Sequence, residues 1–273
     1  MKCYYINLDI ATNRKLNIEN NFLENNTGHW SLTRFPAIDV KYVENKKIPG
    51  SLRSNEKACF LSHKFAIKQN LNAIEPILIM EDDAVIGKST CEILDNFLKL
   101  GSKFEWDILF TDVCVPHPTT MIELIELRKY LSASNKTQVL NLANFIFAGA
   151  TSYILNPNSL EKIFHLLDAK NSLDIPYDLY LRQLISEHKL KGFVIFPFVT
   201  TLSNESDASQ IQLSNTANTD LVWNTFRKMI WIDRKIEDSK FILERINHDV
   251  CDEESKQFGT IISACISNKF IPK

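Results

Sequence analysis

Apolar segments of strand length alternate with segments of helical periodicity through most of the chain. Continuous apolar runs bounded by turn residues are typical of strands that are covered on both faces. Such runs predict strands at residues 3–8, 32–38, 76–80, 106–110, 145–155 and 192–199. Apolar positions that recur every three or four residues predict helices at residues 14–23, 55–70, 91–100, 121–130, 160–167 and 175–187. This alternation predicts an α/β fold in which helices flank a mixed, mainly parallel central sheet.

The pattern changes near residue 220. Residues 221–246 contain almost no turn residues, and their apolar positions predict one long or two shorter amphipathic helices. Residues 258–266 predict another helix. The polar stretch at residues 210–219 is the best candidate for a flexible linker or lid. We therefore expect a catalytic domain at residues 1–207, a linker or lid at residues 208–220 and a helical C-terminal extension at residues 221–273.

Composition narrows the class of protein. The 273 residues have a formal net charge of -2, which gives no basic field for a nucleic acid partner. The first residues lack the pattern of a signal peptide, and no stretch approaches about 20 uninterrupted apolar residues. The six cysteines never form a C-x-x-C pair, so they are interpreted as free thiols in a reducing compartment. We expect an intracellular, cytoplasmic protein.

Three consecutive carboxylates follow the most apolar strand candidate. Residues 77–80 lead directly into Glu81, Asp82 and Asp83. The end of such a strand delivers side chains to the sheet edge where open α/β folds bind ligands. Because adjacent carboxylates repel one another, the run favours a divalent cation, and Mg²⁺ or Mn²⁺ prefers carboxylate oxygen. An acidic turn that merely ends a strand is the alternative interpretation.

Other common catalytic signatures are missing from the sequence. It has only seven glycines and neither a G-x-G-x-x-G motif nor a P-loop, which disfavours Rossmann dehydrogenases and Walker-type NTPases. It has no G-x-S-x-G elbow, and its six histidines show no metal-ligand spacing. Any bound phosphate would therefore be met by a metal ion and side chains.

Seven segments over about residues 1–207 resemble motifs of glycosyltransferase family 25 in the same order. That family includes bacterial lipooligosaccharide galactosyltransferases and collagen galactosyltransferases. The segments are YYINLD at residues 4–9 with Arg14, FPAID at 35–39, EKACFLSH at 56–63, IMEDDA at 79–84, WDIL at 106–109, FAGATSYIL at 147–155 and PYDLYL at 176–181. The chain departs from the family pattern at Lys57 and in its helical tail.

The resemblance implies a GT-A-like nucleotide-sugar-binding fold and a metal-dependent, inverting glycosyltransferase. The donor would be a UDP-sugar, UDP-galactose first, and the acceptor a glycan or glycolipid of a bacterial lipooligosaccharide, lipopolysaccharide or other surface glycan. Glu81 and Asp83 form an acid-x-acid pair whose side chains alternation places on one side of the strand end, where they would hold Mn²⁺ or Mg²⁺. The resemblance places the following residues near the donor: Asn7, Asp9, Arg14, Asp39, Ser62, His63 and Asp82.

Simpler interpretations stay open for several of these residues. Arg14 could be a solvated helix residue, Asn7 a turn former, and Ser62 and His63 core support.

An inverting enzyme needs a base that takes the proton of the acceptor hydroxyl. Asp178 follows Pro176 at the start of a predicted helix, where the backbone favours an anion, and it is the predicted base. A plain first-turn acid that stabilises the helix is the alternative. The rival carboxylates are Asp174, Asp112, Glu205 and Asp207.

The C-terminal segment combines aromatic and basic side chains. They are Trp223, Arg227, Lys228, Trp231, Arg234 and Lys235. Such a helix could dock on the cytoplasmic face of the inner membrane, where a lipid-linked acceptor would lie. Packing against the catalytic domain, or against a second subunit in a homodimer, is the favoured interpretation.

Two other function classes remain. A catalytically silent member would bind carbohydrate or nucleotide as a scaffold. A metal-dependent phosphohydrolase would use the same acids, although that class usually needs more metal-ligating Asp and His.

Overall fold

The structure, a computed structural model, describes residues 1–100, 104–134, 136–203 and 217–234. Its strands are β1 (Lys2–Asn7), β2 (Ser31–Pro36), β3 (Ile77–Glu81), β4 (Ala84–Ile86), β5 (Ile108–Phe110), β6 (Gln138–Asn141), β7 (Ser152–Leu155), β8 (Gly192–Phe196) and β9 (Thr200–Leu202). Its helices are α1 (Thr12–Asn25), α2 (Val40–Asn45), α3 (Ser54–Gln69), α4 (Thr90–Leu100), α5 (Pro118–Ala133), α6 (Leu160–Asp168), α7 (Tyr177–Ser186) and α8 (Ala217–Ile230).

Within the described ranges, seven strands form one sheet in the order β2-β1-β3-β7-β5-β8-β6. β1 pairs in parallel with β2 and β3, and β5 pairs in parallel with β8. β7 runs antiparallel to β3 and β5, and β6 runs antiparallel to β8. All strands of this sheet except β7 and β6 therefore point the same way. The predicted α/β class with a mixed, mainly parallel sheet is confirmed.

Both faces of the central strands β3, β7, β5 and β8 are buried, which explains why these strands are mostly apolar. In β3, Ile77 and Ile79 pack on one face in a core that includes residues of α3, α5, α6, α7 and α8. Leu78 and Met80 point to the other face and pack with residues of α1 and α4. Alternation along one fully covered strand therefore feeds two cores.

Three short strands were not predicted from the sequence. β6 closes one edge of the main sheet, and β4 pairs antiparallel with β9 in a separate two-stranded sheet. The strand predicted at residues 145–155 is too long, because only Ser152–Leu155 are in β7. Gly149 has a φ of 80°, a left-handed conformation that interrupts an extended run.

The C-terminal helix differs from its predicted bounds. α8 begins at Ala217, inside the segment expected to be a linker, and ends at Ile230. A single helix through residue 246 is therefore wrong. Most of the expected linker, and the helix predicted at residues 258–266, lie outside the described residues. The division of the chain at residues 207 and 220 stays a prediction.

None of the helices in the described ranges of the chain combines the length and the apolar character that crossing a bilayer requires.

Candidate functional site

A cavity of about 210 Å³ opens beside the end of β3. Four carboxylates contribute to its lining, namely those of Glu56, Glu81, Asp83 and Asp178. Arg227, from α8, lines the same cavity. A cavity lined by several carboxylates and one guanidinium suits a ligand that binds together with a cation.

The acidic run divides between two sides of the strand end. Glu81, the last residue of β3, and Asp83, in the turn that follows, both line the cavity, so they share one side as predicted. Asp82 faces the other way and accepts hydrogen bonds from Asn7 Nδ2 and Arg14 Nη1, each at 2.8 Å. The middle acid is thus neutralised by protein groups, and the outer two are presented to the cavity.

Asp83 is the least satisfied carboxylate of the site. Its Oδ1 atom is buried and has no hydrogen-bond partner within the described residues. Arg14 Nη2 lies 3.9 Å from Oδ2, which is beyond hydrogen-bond distance. Burial, together with the neighbouring charge of Glu81, raises the pKa of Asp83 to about 7. An orphaned carboxylate oxygen of this kind fits a divalent cation that prefers oxygen ligands.

His63 is buried and contacts Glu81. Its Nε2 lies 3.2 Å from Glu81 Oε1, and its Nδ1 lies 2.8 Å from the hydroxyl of Tyr153. The imidazole stacks on Tyr177 with ring centroids 4.2 Å apart, and the two tyrosine hydroxyls are 2.8 Å apart. Burial alone would raise the pKa of Glu81, but the hydrogen bond with His63, together with the positive charges of Arg227 and Arg14, outweighs it and lowers that pKa. His63 therefore orients Glu81 as an anion.

A second group of possible metal ligands shares Glu81 with the pair formed by Glu81 and Asp83. One ligand atom each from Cys59, His63 and Glu81 lie within 4.8 Å of one another. Burial raises the pKa of Cys59 well above its ordinary value, so the thiol is neutral in the metal-free protein. Sulfur and imidazole donors suit zinc, whereas the all-carboxylate pair of Glu81 and Asp83 suits Mn²⁺ or Mg²⁺.

Asp178 lies in the first turn of α7 and lines the cavity. Its Oδ2 atom accepts a hydrogen bond from the backbone N–H of Gly149 at 2.7 Å. This contact fixes the carboxylate at the cavity wall, where an acceptor hydroxyl could approach it. Its role as the base remains a prediction.

The rival bases occupy different positions. Asp174 is exposed, does not line the cavity and accepts a hydrogen bond from Ser51 N at 2.7 Å. Asp112 forms a buried ion pair with Arg227. Glu205 and Asp207 lie outside the described residues.

Glu56 is a cavity carboxylate that the sequence did not single out. Both of its oxygens contact the Arg53 guanidinium, at 3.1 and 3.2 Å. That hydrogen-bonded contact with Arg53 lowers the pKa of Glu56, which makes it a weaker base.

The residues predicted to bind the donor at the end of β1 form one network. Besides contacting Asp82, Asn7 accepts a hydrogen bond from Arg34 Nε at 2.9 Å. Arg34 also donates to Asp9 at 2.6 Å. The structure thus brings Asn7, Asp9, Arg14 and Asp82 together and adds Arg34, which sequence reasoning missed. They lie next to the acidic run, and none of them is among the residues that line the cavity.

Asp39 and Ser62 have local partners instead. Asp39 is exposed and caps α2 by accepting a hydrogen bond from Tyr42 N at 2.8 Å. The Ser62 hydroxyl donates to Ala58 O and accepts from Ile38 N, each at 2.8 Å. Neither residue lines the cavity, and these contacts support the loop after β2. A role for them near the donor stays a prediction.

The sequence predicted Arg227 only as one of the basic and aromatic side chains of the C-terminal segment. The structure buries it, with an ion pair to Asp112 and a 2.9 Å hydrogen bond to Thr151 Oγ1. Trp231, from the same set, donates its indole N–H to Val199 O at 3.3 Å. These two side chains contact the main domain, in keeping with the favoured interpretation. Docking of the C-terminal region on a membrane, or in a homodimer, stays a prediction.

Comparison with known proteins adds three findings. No protein in a search of curated sequences matches the chain. Among solved structures, mouse xyloside xylosyltransferase 1 in its apo form matches with a TM-score of 0.32 and 12% sequence identity, over 70% of this chain and 63% of that chain. The chain therefore spans less than two thirds of that structure, and so low a TM-score carries no weight here.

The sequence model of "Glycosyltransferase family 25 (LPS biosynthesis protein)" matches residues 1–181. That range includes β1 to β7 and the whole acidic run, as well as the first turn of α7 with Asp178. Because the match covers well over half of the 273 residues, the chain belongs to glycosyltransferase family 25.

Proposed function

We propose that this family member is a metal-dependent, inverting glycosyltransferase that moves galactose from UDP-galactose to a glycan of bacterial lipopolysaccharide or lipooligosaccharide. Family membership supports glycosyl transfer in lipopolysaccharide biosynthesis. The finer proposal is supported by one observation above all. Glu81 and Asp83 line the same cavity, and Asp83 has a buried oxygen with no partner in the described part of the chain.

The chain's own residues would divide the work as follows. Glu81, oriented by His63, and Asp83 would hold Mn²⁺ or Mg²⁺ through their oxygens. A cation bound there supplies charge stabilisation for the diphosphate leaving group. Asn7 and Arg14, which are fixed by Asp82, would position the nucleoside.

Asp178 would act on the acceptor. Its carboxylate takes the proton of the acceptor hydroxyl while that oxygen forms a bond to the anomeric carbon. The bond from that carbon to the UDP oxygen breaks at the same time, and UDP leaves with the electron pair. The hydrogen bond from Gly149 N holds the carboxylate in place during this displacement.

The deciding experiment measures UDP release from UDP-galactose, with and without a truncated lipooligosaccharide acceptor. Transfer requires the acceptor, hydrolysis does not, and a scaffold releases no UDP in either case. We expect acceptor-dependent release that stops with chelator and returns with Mn²⁺. Acceptor-independent release would contradict the proposal. A thermal-shift panel of sugar nucleotides with Mn²⁺ would identify the preferred donor, because a bound ligand raises apparent stability by mass action.

We also expect Asp83 to make the metal-free protein less stable as the pH rises. Its folded-state pKa of about 7 lies above the ordinary value of 3.8. Between these values the folded state holds a proton that the unfolded state has released, so stability falls with increasing pH and levels off above about pH 7. Chelator-treated protein should therefore melt at a lower temperature at pH 7.5 than Asp83→Asn, with a smaller difference at pH 5. Parallel melting profiles of the two proteins would contradict this prediction.

A further inference from the structure

One wall of the cavity is formed by α8, which lies beyond residues 1–181 that the family model matches. Asn224 and Arg227 of this helix both line the cavity. They are three residues apart, and such positions lie on one face of a helix. The C-terminal region therefore contributes to the site and does not merely cover the domain surface.

Arg227 is held in a fixed orientation. Its Nε atom donates to Asp112 Oδ2 at 2.9 Å, and its Nη2 atom contacts the same carboxylate oxygen and donates to Thr151 Oγ1. Thr200 fixes the other side of Asp112 by donating to Oδ1 at 3.2 Å. The guanidinium therefore loses little further conformational freedom when it binds a ligand.

The remaining guanidinium nitrogen, Nη1, lies on the side of Gly149. A Cβ atom added to Gly149 would stand 3.5 Å from Nη1. The absence of a side chain at this position keeps that approach open. Within the described ranges, Nη1 of Arg227 makes no hydrogen bond, so it has donor capacity for a ligand.

The charge of Arg227 is secure. Burial alone would lower its pKa, but the neighbouring carboxylate of Asp112 outweighs that effect and leaves the pKa above its ordinary value. The other charged residues of the cavity lining in the described chain are Glu56, Glu81, Asp83 and Asp178. A ligand with anionic oxygens would be repelled by that group of acids unless it contacts Arg227 or a bound cation. Guanidinium groups match phosphate oxygens in geometry and charge.

We propose that Arg227 binds the diphosphate of the sugar-nucleotide donor through Nη1, so that α8 completes the donor site. This inference rests on the proposed function. It adds a residue from outside the matched segment and gives the C-terminal region a part in substrate binding. The competing possibility is that Arg227 serves only as the counter-ion of Asp112 and attaches α8 to the domain.

The test must separate binding from folding. Arg227→Met alone leaves Asp112 buried and unpaired, which can unfold the protein. We therefore combine Arg227→Met with Asp112→Leu, which removes both charges. A second variant, Arg227→Lys, keeps the charge but loses the guanidinium fork. A third, Arg128→Met, is the control for helix attachment, because Arg128 donates to Trp231 O at 3.0 Å beyond the end of α8.

Binding of UDP and of uridine is measured calorimetrically with Mn²⁺ present. We expect the double variant to bind UDP about 10- to 100-fold more weakly, the range for losing a charged hydrogen bond. Arg227→Lys should lose less affinity for UDP than the double variant. The affinity for uridine should stay unchanged in both. Arg128→Met should bind UDP like the wild type. Wild-type UDP affinity in the folded double variant, or an equal loss in Arg128→Met, would overturn the proposal. Failure of the wild type to bind UDP would instead overturn the proposed function.

Discussion

Replacing Asp83 by alanine is expected to lower galactose transfer by at least about 10²-fold, the usual cost of losing one electrostatic contact to the transition state. Asp83→Asn should be nearly as damaging, because a neutral amide is a poorer ligand for a hard cation. Both variants should fold. In the wild type, one oxygen of Asp83 has no partner among the described residues and the other lies 3.9 Å from Arg14, so the substitutions break no hydrogen bond that the structure shows.

The measurement is the rate of UDP formation, with melting temperature recorded on the same samples. Without metal at pH 7.5, both variants should melt at or above the wild-type temperature, because an uncompensated buried charge has been removed. Added Mn²⁺ should raise the melting temperature of the wild type only.

Asp168→Asn is the matched control for Asp83. Asp168 is exposed and pairs with Lys64 at 2.7 Å on the surface. Its loss should change stability by no more than about 0.5 kcal/mol and leave transfer intact. Full activity of Asp83→Asn in the presence of chelator would disprove the metal assignment.

Local sequence signals predicted the elements that are long and covered on both faces. β1 from Cys3 to Ile6 and β3 from Ile77 to Met80 are apolar runs, and the acids of the run that line the cavity lie at the end of β3 and in the turn after it. Glu81 and Asp83 do line one cavity, as predicted, but Asp82 and Asp83 form a turn after β3, so alternation along an extended strand is not the reason.

Elements that depend on distant partners were missed. β4 has three residues and pairs with β9, with Ala84 opposite Leu202. Nothing in either short segment specifies that pairing. The strand predicted through Gly149 is interrupted by the positive φ of that residue, which follows an isolated bridge between Ala148 and Cys114. Phe147 and Ala150 are buried, whereas Ile146 is exposed, and this apolar run was wrongly interpreted as one extended strand.

The same distinction applies to the site. Arg227 and Asp112 are far apart in sequence, which suggested two separate roles for them, a basic surface residue and a rival base. A signal was nevertheless present, because Asp112 is the single charged residue of residues 108–115 and Arg227 stands beside Phe226 in a helix with an apolar face. Lone charges in apolar surroundings are rarely buried unless they are paired. Searching for a complementary pair of such charges could have suggested this contact.

The second large effect is expected at Asp178. If this residue is the base, Asp178→Asn should reduce turnover by at least about 10²-fold, the lower range for general base catalysis. The substitution is conservative here, since the amide oxygen of asparagine can still accept the hydrogen bond from Gly149 N. UDP-galactose affinity should change little, because the base faces the acceptor hydroxyl.

A purely structural Asp178 would give a different result. Losing a first-turn charge costs only about 0.3–1 kcal/mol of stability, so turnover would survive at a lower temperature. The comparison variant is Glu56→Gln, which removes the other carboxylate of the cavity wall outside the acidic run. Both oxygens of Glu56 are already engaged by Arg53, so this variant should keep near-normal turnover. Measuring kcat and donor affinity on both folded variants decides between the two residues. Near-normal turnover in Asp178→Asn, with a large loss in Glu56→Gln, would transfer the role of base to Glu56 and leave the assignment of Glu81 and Asp83 unchanged.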